Sequence, residues 1–158
     1  MKRFVGIVLA LYVFWLNALF TIADEADTYI SEEYQEVIIE VAEMYAICPE
    51  LIMAMVEAES SGNADAHNEK YGCMGLMQVN PKWHETRMEK LGVTDLYDPE
   101  QNILVGCDYV AELFEKYGEI NNEGEYGGAI ERAYAGEWSR YAKKIAKRSE
   151  ELERWHGK

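Results

Sequence analysis

Proline near the start and glycine just past the end bracket a helix from Pro49 to Ser60, and that helix carries an acid among apolar residues. Ile52, Met55 and Val56 stand seven, four and three residues before Glu59, so all four share one face. Glu57 falls on another side with Met53, Ala54 and Glu50, the ordinary arrangement of a solvated helix carboxylate. Only Glu59 is therefore expected to be buried. A carboxyl held against apolar side chains loses hydration in its charged form, and its pKa rises. Gly62 reads as the residue that stops the helix, leaving Glu59 in the last turn, where unpaired carbonyls also disfavour a negative charge. A carboxylic acid kept neutral near working pH can protonate the leaving oxygen of a glycosidic bond, which makes Glu59 the candidate catalytic residue. The competing reading is a glutamate at a frayed helix end that swings to solvent or pairs with a lysine.

The rest of the chain also reads as helices. Ser31 can cap a segment in which Tyr34, Val37, Ile38, Val41 and Tyr45 recur at helical spacing, and this helix is expected to pack on the one that follows. Asp98, Pro99 and Gln101 supply a cap, a first-turn proline and a glutamine at the third position, opening a helix that runs through Leu113 and Phe114 to Gly118. A last helix uses Trp138, Tyr141, Ala142, Ile145 and Leu152. No segment shows a run of strand alternation.

The chain has 158 residues, and its first part reads as an export segment: Lys2 and Arg3 precede an apolar run from Phe4 to about Ala23. Residues 1–23 are a signal peptide or an uncleaved membrane anchor, and residues 24–158 form one domain with room for a real core and none for a second module. The positive-inside bias then sends everything after Asp24 to the outer face of the membrane, the cell wall or beyond. Loss of Lys2 and Arg3 leaves 13 basic against 29 acidic side chains, a formal charge of −16. A chain so acidic lacks the basic footprint of a nucleic-acid binder, and nucleic acid is excluded as a partner.

Cys48, Cys73 and Cys107 allow one disulfide at most and do not choose the pair, and their more ordinary role is that of small buried hydrophobes. None of them has metal-ligand spacing with His67, His84 or Asp65, and His84-Glu85 lacks a second histidine at the place a zinc protease requires, where Met88 stands. Neither a metal nor an organic cofactor is implied.

Glu59-Ser60 followed by Gly75-Leu76-Met77-Gln78 and then by Asp98-Pro99-Glu100-Gln101-Asn102-Ile103 resembles, in order and spacing, the soluble-type lytic transglycosylases, whose fold is related to goose-type lysozyme. Gly62-Asn63 and Asn80-Pro81 fit the same pattern, so the resemblance covers roughly Ala46 to Tyr134. Near its end the family carries alanine-tyrosine-asparagine-alanine-glycine, where this chain reads Ala133-Tyr134-Ala135-Gly136 without the asparagine. The resemblance implies a mainly α, α+β lysozyme-like fold: a single compact helical domain with a substrate cleft and a small β element beside it.

It also implies an activity and a set of residues. The substrate would be peptidoglycan glycan strands, cut at the β-1,4 bond between N-acetylmuramic acid and N-acetylglucosamine. Glu59 would act as acid and then as base on the sugar's own C6 hydroxyl, leaving a 1,6-anhydromuramyl end. Ser60, Gln78, Tyr134, Met77 and Asn80 would be substrate-binding, with Tyr134 holding the Glu59 carboxyl. Met74 and Met77 serve equally well as core filling, and Tyr71, Trp83, Tyr97 and Tyr126 are read as core or rim packing rather than as sugar platforms. Two other classes fit the same residues: a goose-type lysozyme-like hydrolase that releases a reducing sugar, and a non-catalytic peptidoglycan-binding protein, for which the missing asparagine is the positive hint. A secretion, conjugation or phage apparatus would each have use for such a domain, and nothing in the residues selects one.

Overall fold

In the computed structural model, residues 28–117 and 140–158 are described. The export segment, Gly118, Tyr126, Tyr134 and Trp138 lie outside the described residues. Among the described residues the order is α1 (Glu32–Met44), α2 (Pro49–Ser60), β1 (His67–Asn68), β2 (Cys73–Met74), α3 (Glu85–Leu91), α4 (Pro99–Tyr117) and α5 (Arg140–Trp155). The mainly α expectation holds. No described helix is long and apolar enough to cross a membrane.

The boundaries follow from local chemistry. Ser31 Oγ accepts from the Tyr34 N–H at 3.3 Å and opens α1, and Pro49 takes the first turn of α2, where its missing N–H costs nothing. Asp98 Oδ1 accepts from the Gln101 N–H at 2.9 Å and caps α4. The expected return bond from Gln101 is absent, because Gln101 Oε1 instead accepts from the N–H groups of Thr94 and Asp95 at 2.8 and 3.1 Å and ties down the loop before the helix. α2 closes one residue earlier than the glycine alone suggests: Ser61 already has φ 55° and Gly62 follows at φ 76°. A Cβ at Gly62 would lie 2.8 Å from the Tyr29 carbonyl oxygen, so glycine is needed there for close approach as well as for conformation.

α2 is the axle of the domain. Every residue from Pro49 to Val56 is buried, and the α2 core residues Leu51, Ile52, Met53 and Val56 have no solvent exposure. This corrects the expectation of a solvated side: Met53 and Ala54 are core, Glu50 is 1% exposed, and the Glu57 side chain is 8% exposed. The reason is α5, which lies against that side in the opposite sense, with Tyr141 at Glu59, Arg148 at Glu57 and His156 at Glu50. Its Ala142, Ile145 and Leu152 complete the core, while its Arg148, and Lys158 just past its end, pair with the two acids. α1 packs on both α2 and α4, joining Ile38, Val41 and Ala42 to Ile103, Val105 and Val110.

Two elements escape periodicity. β1 and β2 pair antiparallel, His67 opposite Met74 and Asn68 opposite Cys73, and a bridge from Met74 to Val79 extends the strip. Two-residue strands hold no alternation to read. α3 is also too short for a stripe, with seven residues and none of them buried.

All three cysteines are free thiols. Cys107 is the small buried hydrophobe expected, its thiol pushed up to about 12 by burial. Cys48 differs: it is the N-cap residue of α2, and its Sγ donates to Glu50 Oε2 at 2.9 Å.

Candidate active site

Glu59 sits half-buried in the last turn of α2. Burial raises its pKa above the ordinary carboxyl value, and the Tyr141 hydroxyl, which donates to Oε1, works against that rise. Across from it lies Cys73 on β2, close enough that the charge of Glu59, after burial, pushes the thiol pKa up. The acid is thus held between a helix far along the chain and a hairpin just after it.

The loop carrying Gly75-Leu76-Met77-Gln78 is fastened from α4. Asn102 has no exposed surface; its Nδ2 donates to the carbonyls of Met74 and Leu96 at 2.9 and 2.8 Å, and its Oδ1 accepts from the Met77 N–H at 2.8 Å. Gly75 passes through φ 75° against this side chain, and a Cβ there would come within 2.1 Å of Asn102 Nδ2 and 2.2 Å of the Leu96 oxygen. Only glycine fits. Gln78 turns the chain at φ 48°, and its Nε2 donates to the carbonyls of Ala66 and Gly75, both at 3.1 Å, which binds the loop to the hairpin.

The anticipated site residues therefore divide. Glu59 stands where the apolar face required, half-buried rather than swung to solvent. Met77 is 8% exposed, with its sulfur against Gly106, so its side chain packs into the core. Asn80, 7% exposed, donates to the Tyr71 carbonyl at 2.5 Å and accepts from the Lys82 N–H at 2.9 Å, which is a loop-holding role. Ser60 Oγ donates back to the Val56 carbonyl at 3.1 Å within its own helix. Gln78 is half-buried at the hairpin base, and Tyr134 lies outside the described residues. Tyr71 and Trp83, expected as packing, are largely exposed at 56% and 79%.

Tyr141, Asn102 and Cys73 were not singled out as site residues by the sequence. Tyr141 reads there as one member of an apolar stripe, and nothing local tells that its hydroxyl meets a residue 82 positions away. Asn102 had a signal of a kind, being an amide one position before Ile103 on a helix face that must be buried.

With half-buried acid, phenol donor and fastened loop in view, the likeness to known proteins has a structural counterpart. Residues 36–154 match the family described as Transglycosylase SLT domain. The chain is 34% identical over 105 residues to the transglycosylase of Enterobacteria phage PRD1, covering 65% of this chain and 38% of that protein. It is 30% identical over 127 residues to the membrane-bound lytic murein transglycosylase E of Buchnera aphidicola, covering 76% of this chain and 57% of that one. The chain thus spans 38% and 57% of the lengths of these two relatives. Among solved structures, an inactive mutant of the lytic transglycosylase Slt from Pseudomonas aeruginosa superimposes with a TM-score of 0.53 at 18% identity, over 73% of this chain and 21% of that one, which shows a shared fold. With most of its length matched to the family, this chain belongs to the Transglycosylase SLT domain family.

Proposed function

We propose that this chain is a peptidoglycan lytic transglycosylase in which Glu59 carries both proton transfers. The observation that carries the reading is the state of that one acid: half-buried, with a raised pKa, and held by a neutral phenol instead of a cation. Family membership and relatives named transglycosylase and lytic murein transglycosylase support it. Protonated Glu59 gives its proton to the oxygen linking N-acetylmuramic acid to N-acetylglucosamine as the C1–O bond breaks. The resulting carboxylate takes the proton of the C6 hydroxyl, whose oxygen closes on C1 and leaves a 1,6-anhydro end. Glu59 finishes protonated, ready for another strand.

This route needs no second carboxylate, whereas hydrolysis by inversion or retention does. Among the described residues, burial and the Tyr141 hydroxyl are the influences on Glu59, with no carboxylate among them. The substrate's acetamido group supplies the stabilisation that a nucleophile would otherwise provide. Gln78 and Tyr134 are kept as sugar-contacting residues, while Ser60, Asn80 and Met77 shape the cleft from behind.

Residues 1–23 are proposed to export the domain of residues 24–158, as signal peptide or anchor, to the cell wall. The membrane-bound designation of the Buchnera aphidicola relative agrees with wall-associated action. The test is mass spectrometry of soluble fragments from peptidoglycan digested with the wild-type chain and with Glu59→Gln. Anhydromuramyl ends that vanish in the variant are the expected result. Reducing ends would make it a hydrolase, and a folded wild-type chain that binds the wall without releasing fragments would make it a binding protein.

A further inference from the structure

The ion pair between Glu57 and Arg148 takes no part in the proton transfers, yet it joins the helix of the acid to the helix of its hydroxyl donor. Arg148 Nε and Nη2 donate to the two carboxylate oxygens of Glu57 at 2.7 and 2.9 Å, with the side chains 22% and 8% exposed. Two parallel bonds of this kind fix rotation as well as distance. Glu57 stands two residues before Glu59 on α2, and Arg148 two turns after Tyr141 on the same face of α5. The apolar contacts between the helices, made by Ala142, Ile145 and Leu152, tolerate small slips because they depend on shape and volume and have no direction. A bidentate pair does not tolerate them: one residue of sliding moves a helix by about 1.5 Å, enough to break a hydrogen bond.

Given the reading of Glu59 as the proton-transferring acid, we propose that the Arg148–Glu57 pair is a positioning device that sets α5 in the register placing the Tyr141 hydroxyl on Glu59. The pair is itself held. The Thr28 hydroxyl and the Tyr29 N–H face Glu57 from the chain before α1, and Glu151 faces Arg148 from the next turn of α5. Tyr141 on α5 and Cys73 on β2 face Glu59. Buried ion pairs add little net stability but can select one packing among several, which is the role assigned here.

The experiment is a 13C carboxyl NMR titration of Glu59 in the full chain, its resonance identified with Glu59→Gln. Tyr141→Phe removes the donor and raises the Glu59 midpoint. Arg148→Met is expected to raise it by the same amount, the two together to raise it no further, and Arg148→Lys to restore part of the difference. The double change Glu57→Leu with Arg148→Met leaves no unpaired buried charge, so it reports on register in a folded protein even where the single variant is unstable. A Glu59 midpoint unchanged in these variants, or shifts that add to that of Tyr141→Phe, would overturn the proposal by reducing the pair to a structural contact. Because the titration needs no turnover, it stands apart from the search for anhydromuramyl products, whose absence would remove the enzymatic reading and leave the register measurement intact.

Discussion

The two ends of α2 carry a buried and a half-buried glutamate whose protonation is driven in opposite directions. Glu50, in the first turn, is 1% exposed, yet its carboxyl is held down at about 2. Burial pushes it upward, but the Cys48 thiol, Lys158 at 2.8 Å and His156 at 2.8 Å all favour the charged form and together prevail. The unpaired N–H groups of a helix start act in the same direction. Glu59, in the last turn, has one neutral donor and the carbonyl end of the same helix, so burial prevails and its pKa rises. Burial pushes both upward, and the partners decide whether it prevails. One helix lowers the pKa of the acid in its first turn and raises that of the acid in its last.

The difference is broken most severely at the second end. Glu59→Gln should lower strand cleavage by at least about 100-fold while leaving the domain folded, as read by anhydromuramyl release and thermal unfolding. At the first end the effect should fall on stability instead: Glu50→Leu is expected to cost about 2 kcal/mol at neutral pH, because Lys158 and His156 lose a buried anion but can still reach water. Urea unfolding measures that loss, and the pH dependence of residual cleavage should not move.

The two acids should also leave opposite marks on stability as pH changes. Glu50 binds its proton more weakly when folded, so its contribution is present above an unfolded carboxyl pKa of about 4.3 and is lost as pH falls toward 2. Glu59 binds its proton more tightly when folded, so its contribution is lost as pH rises through the raised folded value. Unfolding curves from pH 2 to 8 should therefore lose part of their acid limb in Glu50→Leu, Glu57 keeping the rest, and lessen their decline toward neutral pH in Glu59→Gln. Curves that coincide with wild type in both variants would end the contrast.

Smaller effects sharpen it. Tyr141→Phe should slow cleavage about tenfold and carry the pH–rate limb assigned to Glu59 to higher pH, since the hydroxyl favours the carboxylate. Cys48→Ala removes one thiol donor from Glu50 and should lower stability by about 0.5–1 kcal/mol with kinetics unchanged.

Much of this architecture was legible in the residues. Ser31, Pro49 and Asp98 place the starts of three helices because a cap or a first-turn proline acts within a few residues, and the apolar spacing before Glu59 predicts its burial. The Glu-Ser pair with Gly75-Leu76-Met77-Gln78 was enough to point to the family. Other features were not legible at that range. Glu50 and Glu57 read as solvated because no local pattern tells that α5 packs on that side of α2, where Arg148 within it and His156 and Lys158 just past its end make their burial tolerable. Met77 and Asn80 lie in the recognised segment, but which of their atoms face inward depends on Asn102 and on the backbone turn at Gly75. The hairpin is shorter than any period.

The sequence by itself determined the longer helical elements, the acid and the chain's family, since capping, periodicity and motif spacing are local properties. The tertiary structure alone decided which carboxyl pKa values are lowered and which is raised. That depends on partners such as Arg148, Tyr141 and Lys158, brought from about 80 to more than 100 residues away by the packing of α5 on α2. Electrostatic environment is a property of neighbours in space, and only the folded chain supplies them.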